Sequence, residues 1–361
     1  MQRGGTSADR TKRCRPHFGT AMRSMVEANP NASVPAPDSV ALAVRGLKTS
    51  FFTRAGAIRA VDNVSFTVGR GRILGLVGES GSGKTVTGFS ILGLVDPPGE
   101  IASGEILLYG ENLVGLPESR LCSIRGARIA MIFQDPMMTL NPVMRIDAQM
   151  MEALQTHHPD MSDTQARALA SEALVKVGIS SPDERLRSYP HQFSGGMRQR
   201  IAIAIAFLNK PDVIVADEPT TALDVTIQAQ ILSEVQTLCR ESGTALIWIT
   251  HDLSVVAGLA DDICVMYAGR IVESGPVADV LDRPLHPYTR GLLNALPRPE
   301  QRGQRFVQIP GAAPLPLNLP EECSFMPRCP RASEACRTDV PLRELRRGHS
   351  ARCVHPLIAA S

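Results

Sequence analysis

Between Val40 and about Gly275, short β-branched apolar runs alternate with stretches of helical spacing. The runs Val64–Val68, Ile73–Val77, Ile129–Phe133, Val213–Ala216, Ala245–Thr250 and Ile263–Tyr267 read as strands. Several are apolar throughout, as strands covered on both faces are. Strands separated by helical segments predict an α/β domain around a largely parallel sheet. The longest unbroken apolar run, Ile201 to Leu208, is eight residues, whereas a membrane-spanning helix needs about 20. Within it Ile201-Ala202-Ile203-Ala204-Ile205-Ala206 alternates as a strand would, so periodicity alone favours a strand there. Prolines gather over 284–320 (Pro297, Pro299, Pro310, Pro314, Pro316, Pro320), which predicts a linker. Beyond it, 321–361 forms a tail with four cysteines, Cys323, Cys329, Cys336 and Cys353. No internal repeat is evident.

Residues 1–36 show no periodicity. They carry Arg3, Arg10, Lys12, Arg13, Arg15 and Arg23 against Asp9 and Glu27, and read as a disordered basic extension. Met22 and Met25 are candidate alternative starts. The division expected is therefore extension 1–36, main domain 37–283, linker 284–320 and tail 321–361. Over the whole chain 43% hydrophobic and 20% charged residues fit a folded protein, not a disordered one. A net charge of +2 is too even to indicate a nucleic-acid or membrane-surface binder. No apolar signal region opens the chain, so a reducing compartment is expected, and there clustered cysteines read first as metal ligands.

The candidate chemistry starts at Gly78-Glu79-Ser80-Gly81-Ser82-Gly83-Lys84-Thr85, which fits G-x-x-x-x-G-K-[ST] at every fixed position. It follows the run Ile73–Val77 and precedes a helical pattern, as a phosphate loop requires. Gly81 and Gly83 permit a backbone that aims consecutive N–H groups at an anion. Lys84 would reach the outer phosphates, and the Thr85 hydroxyl would meet Mg²⁺. A carboxylate partner is expected at the end of a central strand, where Val213-Ile214-Val215-Ala216 runs into Asp217-Glu218. Asp217 is the natural partner for Mg²⁺, and Glu218 is free to polarise an attacking water.

Phe193-Ser194-Gly195-Gly196-Met197-Arg198-Gln199-Arg200 resembles the signature motif of ABC-transporter ATPases. The resemblance continues in order: Gln134 resembles the Q-loop glutamine, Ala222-Leu223-Asp224 the D-loop, and His251 the switch histidine. Phe51 resembles the aromatic that stacks on adenine, with Phe52 as a substitute. Tyr189-Pro190-His191-Gln192, His286-Pro287-Tyr288-Thr289 and the Cys-rich ending are similar to the oligopeptide/dipeptide (nickel) importer branch. The resemblance covers about residues 40–355. It implies an α/β fold with a P-loop ABC-type ATPase domain, a helical subdomain over about 140–200 carrying the signature, and a small Cys-rich C-terminal extension. It also makes the Ile201–Ala206 segment a helix. The exposed N–H groups and hydroxyl of Ser194, Gly195 and Gly196 at a helix start make a second anion site, which in the family faces the γ-phosphate held by another subunit.

Implied with the family are ATP and Mg²⁺ as ligands, with Gln134 joining Thr85 and Asp217 at the metal. Glu218, His251 and Gln134 are the implied catalytic residues. The implied partners are a second ATPase subunit (related chain or identical copy), two transmembrane permease subunits and an extracytoplasmic solute-binding protein, with no nucleic acid. The implied location is peripheral, on the cytoplasmic face of the bacterial inner membrane. A soluble ABC-type ATPase acting on nucleic acid or ribosomes stays as the alternative, although no heptad array or second phosphate loop is visible. For the cysteines, spaced C-x5-C-x6-C-x16-C, a [4Fe–4S] cluster is the reading that the family resemblance favours. Zinc is the alternative, its usual C-x₂₋₄-C pairs being absent.

Overall fold

The computed structural model describes residues 40–54, 56–221, 223–296, 308–314, 317, 319 and 322–358. The expected extension 1–36 lies outside the described residues, as does Ala222 of the D-loop. Strand β1 (Val40–Thr53) pairs antiparallel with β2 (Gly56–Gly69), and the chain then enters β3 (Ile73–Val77), of which every residue is buried. After helix α1 (Lys84–Leu92) come β4 (Gly99–Leu108), β5 (Glu111–Asn112), α2 (Glu118–Ile124) and β6 (Ile129–Ile132). Helices α3 (Ile146–Gln155), α4 (Asp163–Lys176), α5 (Pro182–Leu186) and α6 (Gly195–Phe207) follow without an intervening strand. The rest runs β7 (Val213–Asp217), α7 (Val225–Ser242), β8 (Ala245–Thr250), α8 (Leu253–Leu259), β9 (Asp262–Tyr267), β10 (Arg270–Pro276), α9 (Val277–Asp282) and α10 (Pro287–Ala295). It closes with β11 (Arg343–Arg346) and β12 (His349–Ala351).

Two sheets result, one ordered β2-β1-β4-β5 and one ordered β11-β12-β10-β9-β3-β8-β7-β6. In the larger sheet β6, β7, β8, β3 and β9 are parallel, and β10, β12 and β11 continue it antiparallel. The parallel core matches the pattern of apolar runs. Of the antiparallel first sheet only the Val64–Val68 part of β2 was foreseen. Strand β4 is largely exposed, the outer half of β1 is largely polar, and the pattern of apolar runs does not show their pairing. The inner face of this sheet packs with α1 on the main sheet through Leu42, Leu47, Ile106, Leu76 and Ile247.

Helix α6 bears out the expected helix: Ile201–Ala206 is helical, as the resemblance implied, although periodicity alone favoured a strand. The helix is buried on nearly every side, including Gln199, Arg200, Ile201, Ala202, Ile203 and Ala204, so no face has to be polar. The alternation of Ile and Ala reflects packing on two sides, between the main sheet and helices α3 to α5.

The stretch expected as a linker differs from that expectation. It holds α10, whose Pro287, Tyr288 and Thr289 are buried, and its N-cap is His286, whose Nδ1 accepts from Tyr288 N at 3.0 Å. Pro297, Pro299, Pro316 and Pro320 lie outside the described residues. The tail returns to the main sheet, Glu273 of β10 pairing with Ala351 and Ser274 with Ser350 of β12. The Glu273 carboxylate is buried in that seam and accepts from Leu285 N (2.6 Å) and His286 N (2.8 Å), with His349 Nε2 at 2.7 Å.

Candidate active site

Strands β3 and β7 flank β8, so the loop after β3 and the carboxylates ending β7 open on the same edge of the sheet. Gly83 caps α1 at φ 101°, and a methyl group there would lie 2.3 Å from the Ala60 carbonyl oxygen. A methyl on Gly78 would lie 2.2 Å from the Met266 carbonyl oxygen. Gly81, at φ 78°, faces open space. Glycine is thus required at 78 and 83 by space and at 81 by conformation. Within the loop, Ser82 Oγ is buried with no hydrogen-bond partner among the described residues, while Ser80 stands exposed. Lys84 Nζ donates to the carbonyls of Gly78 (2.8 Å) and Glu79 (3.0 Å). Burial pulls its pKa below the usual lysine value, against the opposing pull of Glu218, Asp217 and Glu79.

Thr85 Oγ1 donates to Asp217 Oδ1 at 3.1 Å, across 132 positions of sequence. Burial lifts the Asp217 carboxyl above its ordinary range, and the Glu218 charge adds to this, while the Thr85 hydrogen bond and Lys84 oppose it. A hydroxyl and a carboxylate meeting beside a backbone nest are the oxygen donors that suit Mg²⁺. Glu218 follows at φ 44°, a left-handed conformation unusual for a residue with a side chain. Its N–H bonds the Ile249 carbonyl of β8 at 2.9 Å, and its Oε2 lies 3.1 Å from both the Thr221 hydroxyl and His251 Nδ1. The structure therefore brings together Lys84, Thr85, Asp217, Glu218 and His251. Thr221 was not foreseen; the Pro219-Thr220-Thr221 turn carries no signal beyond its polarity.

The other candidates stand apart. Gln134 is exposed just past β6, whose Ile132 pairs with Ala216, and has no hydrogen bond to the Thr85–Asp217 pair. Ser194 caps α6, its Oγ accepting from Met197 N at 3.3 Å. Ser194 and Gly195 are exposed, and Gly196 abuts Ile227 at the start of α7. Among the described residues no hydrogen bond ties this segment to the phosphate loop, and the exposed Ser194 and Gly195 leave the helix start open to solvent. Phe51 packs over Gly99, whereas neighbouring Phe52, on the opposite face of β1, is 52% exposed. A ring open to a planar ligand is thus available at Phe52.

At the tail, Cys336 and Cys353 are buried and Cys323 and Cys329 half-buried, all four as free thiols. Burial, reinforced by the other three sulfurs, pushes the Cys353 thiol up to about 11, so the four lie within electrostatic reach of one another. Yet no three His, Cys, Asp or Glu among the described residues are placed to hold a metal ion. The expected cluster or zinc finds donors of the right chemistry here but not a formed metal site.

Residues 61–221 match the family described as ABC transporter, and 272–336 match the oligopeptide/dipeptide transporter C-terminal region. The oligopeptide transport ATP-binding protein OppD of Salmonella typhimurium is 47% identical over 323 residues, spanning 90% of this chain and 96% of that protein. AppD of Bacillus subtilis, another oligopeptide transport ATP-binding protein, is 46% identical over 317 residues (87% and 96%). Among solved structures, the ATP-binding cassette MJ0796 in a dimeric post-hydrolysis state bound to ADP and Pi superposes with a TM-score of 0.59 at 27% identity. It covers 65% of this chain and 98% of that one. With these relatives spanning both the nucleotide site and the C-terminal region, the chain belongs to the ATP-binding proteins of ABC transporters, in the branch that contains OppD and AppD.

Proposed function

We propose that the chain is the ATP-hydrolysing subunit of an importer for di- or oligopeptides. The carrying observation is the meeting of Thr85–Asp217 and Glu218–His251 at one sheet edge, while Ser194 and Gly195 are exposed at the start of α6 with no hydrogen bond to the phosphate loop among the described residues. ATP phosphates would lie in the nest of residues 78–85 against Lys84. Thr85 and Asp217, joined by Gln134, would hold Mg²⁺, which would neutralise charge on the phosphates. Glu218 accepts the proton of the attacking water, and His251 orients that carboxylate. The missing donors come from Ser194–Gly196 of a second ATPase subunit, a related chain or another copy, in head-to-tail pairing. The relatives' oligopeptide names support the peptide cargo and, with it, two permease subunits, an extracytoplasmic solute-binding protein and a place on the cytoplasmic face of the bacterial inner membrane. The alternative of an ATPase serving nucleic acid or ribosomes finds no support among these relatives.

The division proposed keeps the ATPase domain and the tail, the tail pairing with the ATPase sheet through β12, but the start of the 284–320 linker is the packed helix α10. A structural [4Fe–4S] cluster on Cys323, Cys329, Cys336 and Cys353, with zinc as the alternative, is proposed from the family resemblance of the Cys-rich ending and the thiol chemistry of the four residues, not from a formed site. Iron, zinc and acid-labile sulfide analysis after anaerobic purification separates cluster, zinc and free thiols. The composite site is tested by specific ATPase activity across a dilution series, with and without the partner ATPase. Activity should rise with concentration and be lost in Ser194→Arg, and a flat profile from a monomer overturns the reading. Lys84→Ala should abolish nucleotide binding itself. Peptide cargo requires that peptide-loaded binding protein stimulate ATPase activity of the reconstituted assembly.

A further inference from the structure

Glu79 puts an acid inside a loop meant for polyphosphate, an adverse charge that the ATPase reading leaves unexplained. Its surroundings come from the C-terminal region. Arg328 takes the carboxylate in a fork, Nη1 to Oε2 at 2.9 Å and Nη2 to Oε1 at 3.2 Å. The guanidinium is buried and otherwise spoken for, with Nε on the Pro310 carbonyl (2.8 Å), Nη1 on the Tyr267 hydroxyl (3.3 Å) and its plane over the Tyr267 ring. The Glu79 N–H donates to the hydroxyl of Tyr288 at 3.0 Å. The Glu79 carbonyl accepts from Lys84 Nζ and from Ser82 N, so this residue is a node of the whole loop.

Both partners sit on a rigid support. Tyr288 is fully buried on α10, and Phe325 packs edge-on against Tyr267 (5.3 Å between centroids) and Tyr288 (5.4 Å). Arg328 is the last residue of a short 3₁₀ turn, one position before Cys329 and five after Cys323. The Cys323 N–H in turn bonds the Cys336 carbonyl at 3.1 Å. The His-Pro-Tyr segment and the Cys-rich tail thus converge on one residue of the phosphate loop, over 209 and 249 positions of sequence.

We propose that the C-terminal region positions the phosphate loop, with Arg328 neutralising Glu79 and drawing its carboxylate away from the nucleotide while Tyr288 holds the Glu79 amide. Neither side chain is a catalytic residue; both act through Glu79. Unpaired, the Glu79 carboxylate would repel the phosphates and compete for Lys84, so the loss of Arg328 weakens nucleotide binding. Removing the acid itself restores it. The inference rests on the reading of residues 78–85 as an ATP site.

The test is titration of the full-length protein with trinitrophenyl-ATP and Mg²⁺, with thermal melts in parallel. Arg328→Met should weaken binding on the order of tenfold, and the double variant Arg328→Met/Glu79→Gln should recover most of that loss. Arg328→Lys, which keeps charge without the fork, should fall between. Tyr288→Phe should weaken binding several-fold and gain nothing from Glu79→Gln. Should Arg328→Met not fold, the Arg328→Lys and Tyr288→Phe comparisons carry the test. An Arg328 variant that melts lower but binds nucleotide as wild type overturns the proposal. So does weakened binding that Glu79→Gln leaves unrelieved. A wild-type protein with no affinity, or a Lys84→Ala variant that binds normally, overturns the ATP-site reading instead, so the two failures are separable.

Discussion

Glu218 offers a prediction in which stability and turnover move in opposite directions. Its φ of 44° costs a residue with a Cβ about 1–3 kcal/mol, which glycine avoids. Glycine brings back roughly 0.5–1 kcal/mol through its greater freedom in the unfolded chain. The side chain's partners, the Thr221 hydroxyl and the 54%-exposed His251, are at the solvent edge, so their loss costs little. Deleting the carboxylate also removes one of the charges that lift the Asp217 pKa. Glu218→Gly should therefore be more stable than Glu218→Gln by about 1 kcal/mol, or roughly 2–4 °C in Tm for a domain of this size. Glutamine keeps the strained backbone and nearly the same shape without a basic oxygen. Turnover should fall by on the order of 10²–10⁴ in both variants, about 3–5 kcal/mol of barrier, while ATP still binds. The assay is phosphate release by the complete assembly, beside differential scanning calorimetry and nucleotide titration of each variant. Near-normal turnover in either variant refutes Glu218 as the base. A Glu218→Gly protein that melts below Glu218→Gln refutes the strain.

Two loop glycines should respond differently: Gly83→Ala meets the Ala60 carbonyl and should cost about 3 kcal/mol or more with loss of nucleotide binding, whereas Gly81→Ala meets only strain of about 1 kcal/mol. Equal melting temperatures for the pair would contradict the Ala60 contact. Burial holds the His286 imidazole at about 4, against the upward pull of Glu273 and a backbone hydrogen bond. Because its folded pKa lies below the unfolded value near 6.5, the unfolded chain takes up the proton first. Stability should therefore fall as pH drops from 6.5 towards 4, by up to about 3 kcal/mol. His286→Asn keeps a capping acceptor and should flatten that part of the profile; denaturant midpoints at pH 7.5 and 4.5 that shift equally in both proteins refute the assignment. Cys239 and Cys264, pushed up to about 12 by burial, should resist iodoacetamide at pH 8 until the protein unfolds, as mass spectrometry of the native and denatured chain would show.

What could be read from the chain follows from where each signal is stored. Strands β3, β7 and β8 are buried on both faces, so their burial is written as continuous apolar runs. The Thr85–Asp217 contact was legible because the phosphate loop and the acid-ended strand each have a local pattern, and parallel neighbours bring strand ends together. Helix α6 defeats periodicity because it has no solvent face to mark with polar residues. Strands β11 and β12 defeat it for another reason. Arg-Glu-Leu-Arg and His-Ser-Ala are too short and polar to specify strands, and they are extended because β10 offers an unpaired edge.

The same distinction explains why Glu79 gave no warning. Within G-x-x-x-x-G-K-[ST] it occupies a free position, and the cation near it in the motif, Lys84, reads as the phosphate ligand. The answering groups, Arg328 and Tyr288, read locally as one cation among many and as part of a family-marking His-Pro-Tyr. Only the folding of the C-terminal region onto the β9–β10 side of the sheet sets them against the loop. A nucleotide site whose phosphate and Mg²⁺ ligands are written in local motifs thus depends, for the charge balance inside its own loop, on contacts that no window of the sequence contains. Substitutions of the C-terminal region that look remote from ATP are therefore where sequence-based reading of this chain should fail most often.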